Sequence, residues 1–314
     1  MTVHPQWGPR IGRLHSRVGT GLLEIAHRGA RAYAPENTLP AFEKAAHLGC
    51  HMIELDVHCS ADGELVVHHD DDLRRCTDVA RRFPGRDSYY VSDFSARELA
   101  ELDAGGWYLQ ELAMPPARRQ GFLRELTQEE RTAFISAGDE RLYGSGEVRL
   151  PSLASALGLA ESLGLLVNIE VKTLPRMYPG IAAKVLDCVM QFGLLEKVLV
   201  SSFDHDQLAI LRSMSAHVAT AVLTSDRLSH VGHYLALLDA DAYHPGCYGD
   251  FDSLGFGSVD GQLDTRGIGD ARASGKGVNV WTCNNIAQMR ALVDAGVTGL
   301  ITDYPTRLSQ LRSA

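Results

Sequence analysis

Apolar and polar residues alternate on two scales along this chain. Short runs such as Leu22-Leu23-Glu24-Ile25-Ala26 have the make-up of buried strands, and between them apolar residues recur every three or four positions, as on one face of a helix. From residue 150 onward one unit repeats: an apolar strand, a polar junction, a helix and a glycine stop. The spacing predicts strands at 165–171, 198–201, 218–223, 242–244, 278–282 and 299–302. Helices fall between them at about 181–192 (stopped by Gly193), 206–214, from a Ser225 or Asp226 cap to Leu238, 263–273 after a glycine-rich loop at 246–261, and from an Asn285 cap to Gly296. The first part follows the same rule. Strands start at Leu22 and Met52, joined by a helix that Asn37 or Thr38 caps and Gly49 ends. Strand starts at Leu22, Met52, Leu165, Val198, Val218, Ala242, Val278 and Gly299 make eight, which predicts an α/β fold of the TIM (β/α)8 barrel type. With no G-x-G-x-x-G turn, a doubly wound open sheet ranks second.

Residues 60–150 interrupt that rhythm. The turn Ala61-Asp62-Gly63 leads to a short extra strand at 65–68, and Ser95 caps a helix over 95–103. The segment 109–148 is charged, contains Pro115 and Pro116, and has a helical patch near 127–137. It reads as an insertion after strand 2 of a single barrel domain spanning 1–314, either beside the mouth or peripheral to it. Regular structure resumes at Pro151, with Ser152 as a cap.

Composition narrows the class. The 314 residues, 45% hydrophobic and 22% charged, suffice for one large core, and no apolar run is long enough to span a membrane. Residues 1–17 are polar, without the apolar core of a secretory signal, so a cytoplasmic protein is expected unless a leader was removed, and this lead-in is given no chemistry. A net charge of −9 argues against nucleic acid as a partner. Six scattered cysteines without a C-x-x-C pair read as reduced and mostly buried, not as a zinc site.

Some residues point to chemistry. Glu54 and Asp56 stand two apart in a strand, so both project to one face, and Met52, Ile53, Leu55 and Val57 place that face in or near a core. Two carboxylates there repel unless a cation lies between them, and oxygen ligands at this spacing suit Mg²⁺, Ca²⁺ or Mn²⁺; the solvated face of a hairpin is the equal alternative. Asn168, Glu170 and Lys172 share a face of the next strand, so Glu170 is a candidate third ligand and Lys172 a phosphate contact, or the two form a structural ion pair. His27 and His69 follow strand ends, where a barrel carries its chemistry. Two imidazoles across a phosphorus centre can divide proton acceptance and donation. His68 rivals His69, since strand alternation turns only one inward. Arg28 offers forked donors to phosphate or a salt bridge to Glu36, and Glu36 is either a ligand or an orienting group.

Taken in order, His27-Arg28-Gly29, Pro35-Glu36-Asn37-Thr38, Glu54-Leu55-Asp56 and His69-Asp70 resemble the signature of the glycerophosphodiester phosphodiesterase family. The resemblance continues through Leu73-Arg74-Arg75-Cys76-Thr77, Glu170-Val171-Lys172, Ser202-Phe203, Trp281-Thr282 and Thr302-Asp303-Tyr304-Pro305, over about residues 22–308. Cys76 stands where the family usually has Thr. The resemblance implies a TIM barrel that hydrolyses glycerophosphodiesters to glycerol 3-phosphate and an alcohol, with one divalent cation: Mg²⁺, Ca²⁺ or Mn²⁺. Glu54, Asp56 and Glu170 match its ligands, and His27 and His69 its acid–base pair, with the two roles left unassigned. Arg28 and Lys172 match its phosphate contacts, with Glu36 and Asn37 as supporting residues. Trp281, and more weakly Phe203, match an aromatic wall; a plain core tryptophan is the alternative. The implied partner is a small-molecule phosphodiester. Rival readings are a barrel phosphodiesterase for lysophospholipids, with the insertion as an apolar lid, and an idle barrel that only binds phosphodiesters or proteins; the intact set of acids and histidines counts against the second.

Overall fold

Among the described residues nine strands carry the architecture: β1 (Leu23–Ala26), β2 (Met52–Cys59), β3 (Leu65–Val67), β4 (Leu166–Val171), β5 (Val198–Ser202), β6 (Ala219–Thr224), β7 (Ala242–Pro245), β8 (Gly277–Val280) and β9 (Gly299–Thr302). This computed structural model describes residues 7–19, 21–173, 176–247 and 265–312. All but β3 are parallel and run β1-β9-β8-β7-β6-β5-β4-β2, and the pairing of Ile25 with Met52 closes the ring. The fold is therefore the expected TIM (β/α)8 barrel, with β3 an antiparallel extension of β2.

Strand alternation sorts each barrel strand into an outer and an inner series. On β2, Ile53, Leu55 and Val57 join the core under the helices, whereas Met52, Glu54 and Asp56 face inward. The inward series of β4 runs Leu166, Asn168, Glu170 and on to Lys172, so both strands begin on an apolar floor and end at a polar mouth. That floor is built from Leu23, Ile25, Met52, Leu166, Leu199 and Ile301, and a helix at Pro9–Ser16 seals it from below with Ile11 and Leu14. The polar lead-in expected of the N-terminus is thus, over its described part, a plug for the barrel. Its apolar residues are too few to register as a run but sit three apart on one helical face.

Local chemistry explains where elements start. Thr38 caps the Leu39–His47 helix by accepting from the Ala41 amide. Ser95 forms a capping box with Glu98, but its helix is only Ala96–Leu99. The patch expected near 127–137 is two helices, Gln128–Phe134 and Ala137–Tyr143, each with its own capping box. Ser225 and Asp226 do not cap the helix after β6: Asp226 is held in a tight turn with Thr224, and the helix is Val231–Leu237. The helix before β8 is described as Arg266–Ala273; Leu263 and most of the glycine-rich loop lie outside the described residues.

The chain between Val67 and Ser152 leaves the barrel as a series of short helices and returns to the Leu153–Ser162 helix. This excursion packs over the loop after β1 and the residues after β9. The Tyr108 hydroxyl donates to the Ala32 carbonyl at 2.7 Å, Tyr304 donates to the Phe122 carbonyl, and Arg307 pairs with Glu125 and Glu130. The insertion therefore lies beside the mouth.

Candidate active site

The register of β2 against β4 sets Glu54 opposite Asn168 and Asp56 opposite Glu170. This brings oxygen atoms of Glu54, Asp56 and Glu170, all buried, within 4.8 Å of one another. Lys172 places Nζ 3.0 Å from Asp56 Oδ1 and 2.5 Å from Glu170 Oε1. Asn37 Nδ2 donates to Asp56 Oδ2 at 2.8 Å, and the Arg28 amide donates to Glu54 Oε2 at 2.9 Å. Burial pushes Asp56 up, but Lys172, His69 and Arg28 outweigh it and hold the carboxyl well below its usual range. Glu54 behaves in the opposite way. Burial and the charges of Asp56 and Glu170 push it well above the carboxylate range. Glu170 is also raised, chiefly by burial. A cluster that ionises one acid and forces another upward is short of positive charge, and an all-oxygen donor set of this kind fits a hard divalent cation rather than zinc.

The turn after β1 is shaped for this cluster. Arg28 adopts φ +55° and Gly29 φ +79°, and a Cβ on Gly29 would lie 2.7 Å from the Ala41 carbonyl carbon, so no other residue fits there. Asn37 also takes a positive φ, a conformation its short amide tolerates. Glu36, left above as ligand or support, grips arginines instead of joining the carboxylates. Oε1 accepts from Arg28 Nη1 at 2.9 Å and Arg75 Nη2 at 2.6 Å, and together with Arg31 they hold its carboxyl low despite burial.

Each candidate histidine is held from behind. His27 Nδ1–H donates to Asp303 Oδ1 at 2.7 Å, and Nε2 points to the cluster, 3.9 Å from Glu54 Oε2. His69 Nδ1–H donates to Asp70 Oδ1 at 2.6 Å. Burial, reinforced by nearby arginines, brings His27 down to about 4; burial, then Arg28 and Lys172, hold His69 well below its ordinary value. Asp303 sits at about 2, because Arg31 and His27 outweigh its burial. The rival His68 is buried and turned to the Asp72 carbonyl.

A cavity of about 340 Å³ opens over these groups. Its charged side is formed by His27, Arg28, Arg31, Glu54, His69, Glu170 and Lys172; across from it stand Phe203, Leu223 and Trp281. Phe203 is 42% exposed and meets Trp281 edge to face at 5.5 Å, and Trp281 Nε1 donates to the His244 carbonyl. The expected site residues thus converge, with Asp56, Glu36 and Asn37 buried behind the lining. Four contributors went unassigned from sequence: Asp70 and Asp303, which orient the histidines, and Arg31 and Arg75, which hold those acids. Asp70, Arg75 and Asp303 lie within runs that carry the family resemblance, and each acid immediately follows a strand end or a candidate histidine, but no role was read for them.

A profile of the Glycerophosphoryl diester phosphodiesterase family matches residues 27–307. A glycerophosphodiester phosphodiesterase of Bacillus altitudinis is 30% identical over 92% of this chain and 97% of its own length. Among solved structures, an Oleispira antarctica phosphodiesterase in complex with the product sn-glycerol-3-phosphate superposes with a TM-score of 0.67 at 24% identity, covering 92% of this chain and 96% of the other. A putative glycerophosphoryl diester phosphodiesterase from Silicibacter pomeroyi gives 0.71 at 22% identity, covering 95% and 96%.

Proposed function

Since the chain belongs to the glycerophosphoryl diester phosphodiesterase family, we propose that it hydrolyses glycerophosphodiesters to glycerol 3-phosphate and an alcohol, with a divalent cation at Glu54, Asp56 and Glu170 and with His27 and His69 as the proton-transfer pair. The observation that carries this reading is the convergence of three buried carboxylates and two carboxylate-backed imidazoles on one cavity.

A divalent cation held by the three acids would supply polarisation of the phosphoryl oxygens and ease deprotonation of the attacking hydroxyl or water. The protein's own groups supply the rest. Asp303 and Asp70 each take up an Nδ1–H, which fixes the tautomer and leaves Nε2 of both rings for the substrate. Both rings are held toward the neutral form, so one is ready to accept the nucleophile's proton while the other, once protonated, delivers a proton to the leaving alkoxide. Arg28, fixed by Glu36, and Lys172, between Asp56 and Glu170, stand where charge grows on the phosphoryl group. Phe203 and Trp281 offer an apolar wall to the carbon skeleton.

Product identity tests the reading. Purified protein incubated with glycerophosphocholine and Mg²⁺, Ca²⁺ or Mn²⁺ is expected to release glycerol 3-phosphate and choline. Release of glycerol and phosphocholine would place the bond cleavage on the wrong side of phosphorus, and faster turnover of lysophosphatidylcholine would move the substrate class to lysophospholipids.

A further inference from the structure

We propose that the turn Gly121–Leu123 of the excursion, together with Gln120 before it, is a brace that positions both histidines at once; this rests on the acid–base reading of His27 and His69. Two chains of contacts leave this one turn and end on different imidazoles. In the first, Gln120 Oε1 accepts from Arg75 Nη1 at 2.9 Å, and Arg75 Nε donates to Asp70 Oδ2 at 2.5 Å. Asp70 in turn accepts from His69. In the second, the Phe122 ring lies under the Arg31 guanidinium, 3.9 Å from its central carbon, and Arg31 Nε lies 2.8 Å from Asp303 Oδ1, the acceptor of His27.

The turn is itself anchored at both ends of this arrangement. The Gln120 amide donates to Glu111 Oε2 at 2.7 Å, on the helix Gly106–Ala113, and the Phe122 carbonyl accepts from Tyr304, the residue after Asp303. The physical need for such a brace is plain. Arg31 and Arg75 are long side chains with several free torsions, and each must hold a carboxylate still so that the carboxylate can hold a ring. The planar face of one guanidinium is pinned by an aromatic ring, and the free edge of the other by an amide oxygen. Neither Gln120 nor Phe122 lines the cavity, so both act through other residues. Small displacements of a reacting group far exceed their apparent size in rate, which lets a remote turn matter.

The test is steady-state kinetics of the full-length, cation-loaded enzyme on glycerophosphocholine, with thermal unfolding in parallel. Gln120→Ala and Phe122→Leu are each expected to lower kcat about tenfold with KM changed less than about twofold, at a midpoint of unfolding close to the parent's. The double variant is expected to lose more than either single variant but less than the roughly hundredfold product, because Arg31 and Arg75 share Glu36 as a partner. Phe122→Tyr, which keeps an aromatic face, and Gln120→Glu, which keeps an acceptor, are expected to restore most of kcat. Leucine keeps most of the buried apolar volume but no aromatic face, so a merely structural Phe122 would lose stability in the parallel unfolding scan and not kcat. Turnover by Gln120→Ala and Phe122→Leu within about twofold of the parent would overturn the brace, as would conservative variants no better than the truncations. His27→Ala and His69→Ala run beside them separate the two ideas: if these lose activity and the turn variants do not, the brace alone fails, whereas active histidine variants remove the acid–base reading and the brace with it.

Discussion

A carboxyl group forced upward by burial and then by two like neighbours reports on its whole cluster, which makes Glu54 the most telling single residue. Glu54→Ala is expected to lower kcat by about a hundredfold or more and to weaken divalent-cation binding in calorimetry; near-parental values of both would dismantle the cluster's assigned role. Asp303→Asn keeps an acceptor for His27 but removes the charge that Arg31 pairs with, so kcat is expected to fall by roughly tenfold or more while KM moves little. Unchanged kcat would show that the ring needs no carboxylate behind it. The pairing of Glu54 with Asp56 was legible because a strand's period of two is local, whereas Glu170 was only a candidate, its place opposite Asp56 being set by the register of β2 against β4. Asp303 to His27 is a contact across 276 positions and Asp303 to Arg31 one of the same kind, and nothing in the neighbourhood of either residue announces its partner.

Among the elements, the N-terminal helix shows what a sparse pattern conceals. Ile11 is fully buried against the barrel floor, so Ile11→Ala is expected to cost about 2–5 kcal/mol in denaturant unfolding, whereas a loose lead-in would lose almost nothing. On the same helix His15 is 7% exposed, stacked on Trp7, and both of its ring nitrogens are buried without a hydrogen-bond partner; burial brings it from 6.5 down to about 4. The fold therefore favours neutral His15, and the unfolded chain binds the proton first. Its contribution is complete above about pH 6.5 and is lost as pH falls toward 4, at about 1.4 kcal/mol per pH unit. Burial lowers His58 and His244 in the same sense, so the clean comparison is with His15→Phe, whose unfolding midpoint should fall less steeply between pH 6.5 and 4. Equal slopes would show that His15 is not held neutral. The excursion was harder to read than the barrel because its helices are short and rely on capping boxes and tyrosine hydroxyls reaching distant carbonyls, not on a repeating apolar face.

At the scale of the molecule, a single gradient links fold and chemistry. The inner series of β1, β2 and β4 begin with Leu23, Met52 and Leu166 on the floor and lead up to His27 and Lys172 at the mouth, with Asp56 buried just behind it, so the barrel that buries the core also aims the charged groups. The eight-strand rhythm foretold this architecture, while the aromatic side of the mouth followed only from family resemblance. No described helix is long and apolar enough to cross a membrane. The account's central claim is that the carboxylate cluster works with a divalent cation in phosphodiester hydrolysis. The most direct test is turnover of glycerophosphocholine after exhaustive EDTA treatment and after adding back Mg²⁺, Ca²⁺ or Mn²⁺ singly. The account predicts loss of activity on chelation and recovery with at least one of the three; full turnover in EDTA, or no hydrolysis with any cation, would contradict it.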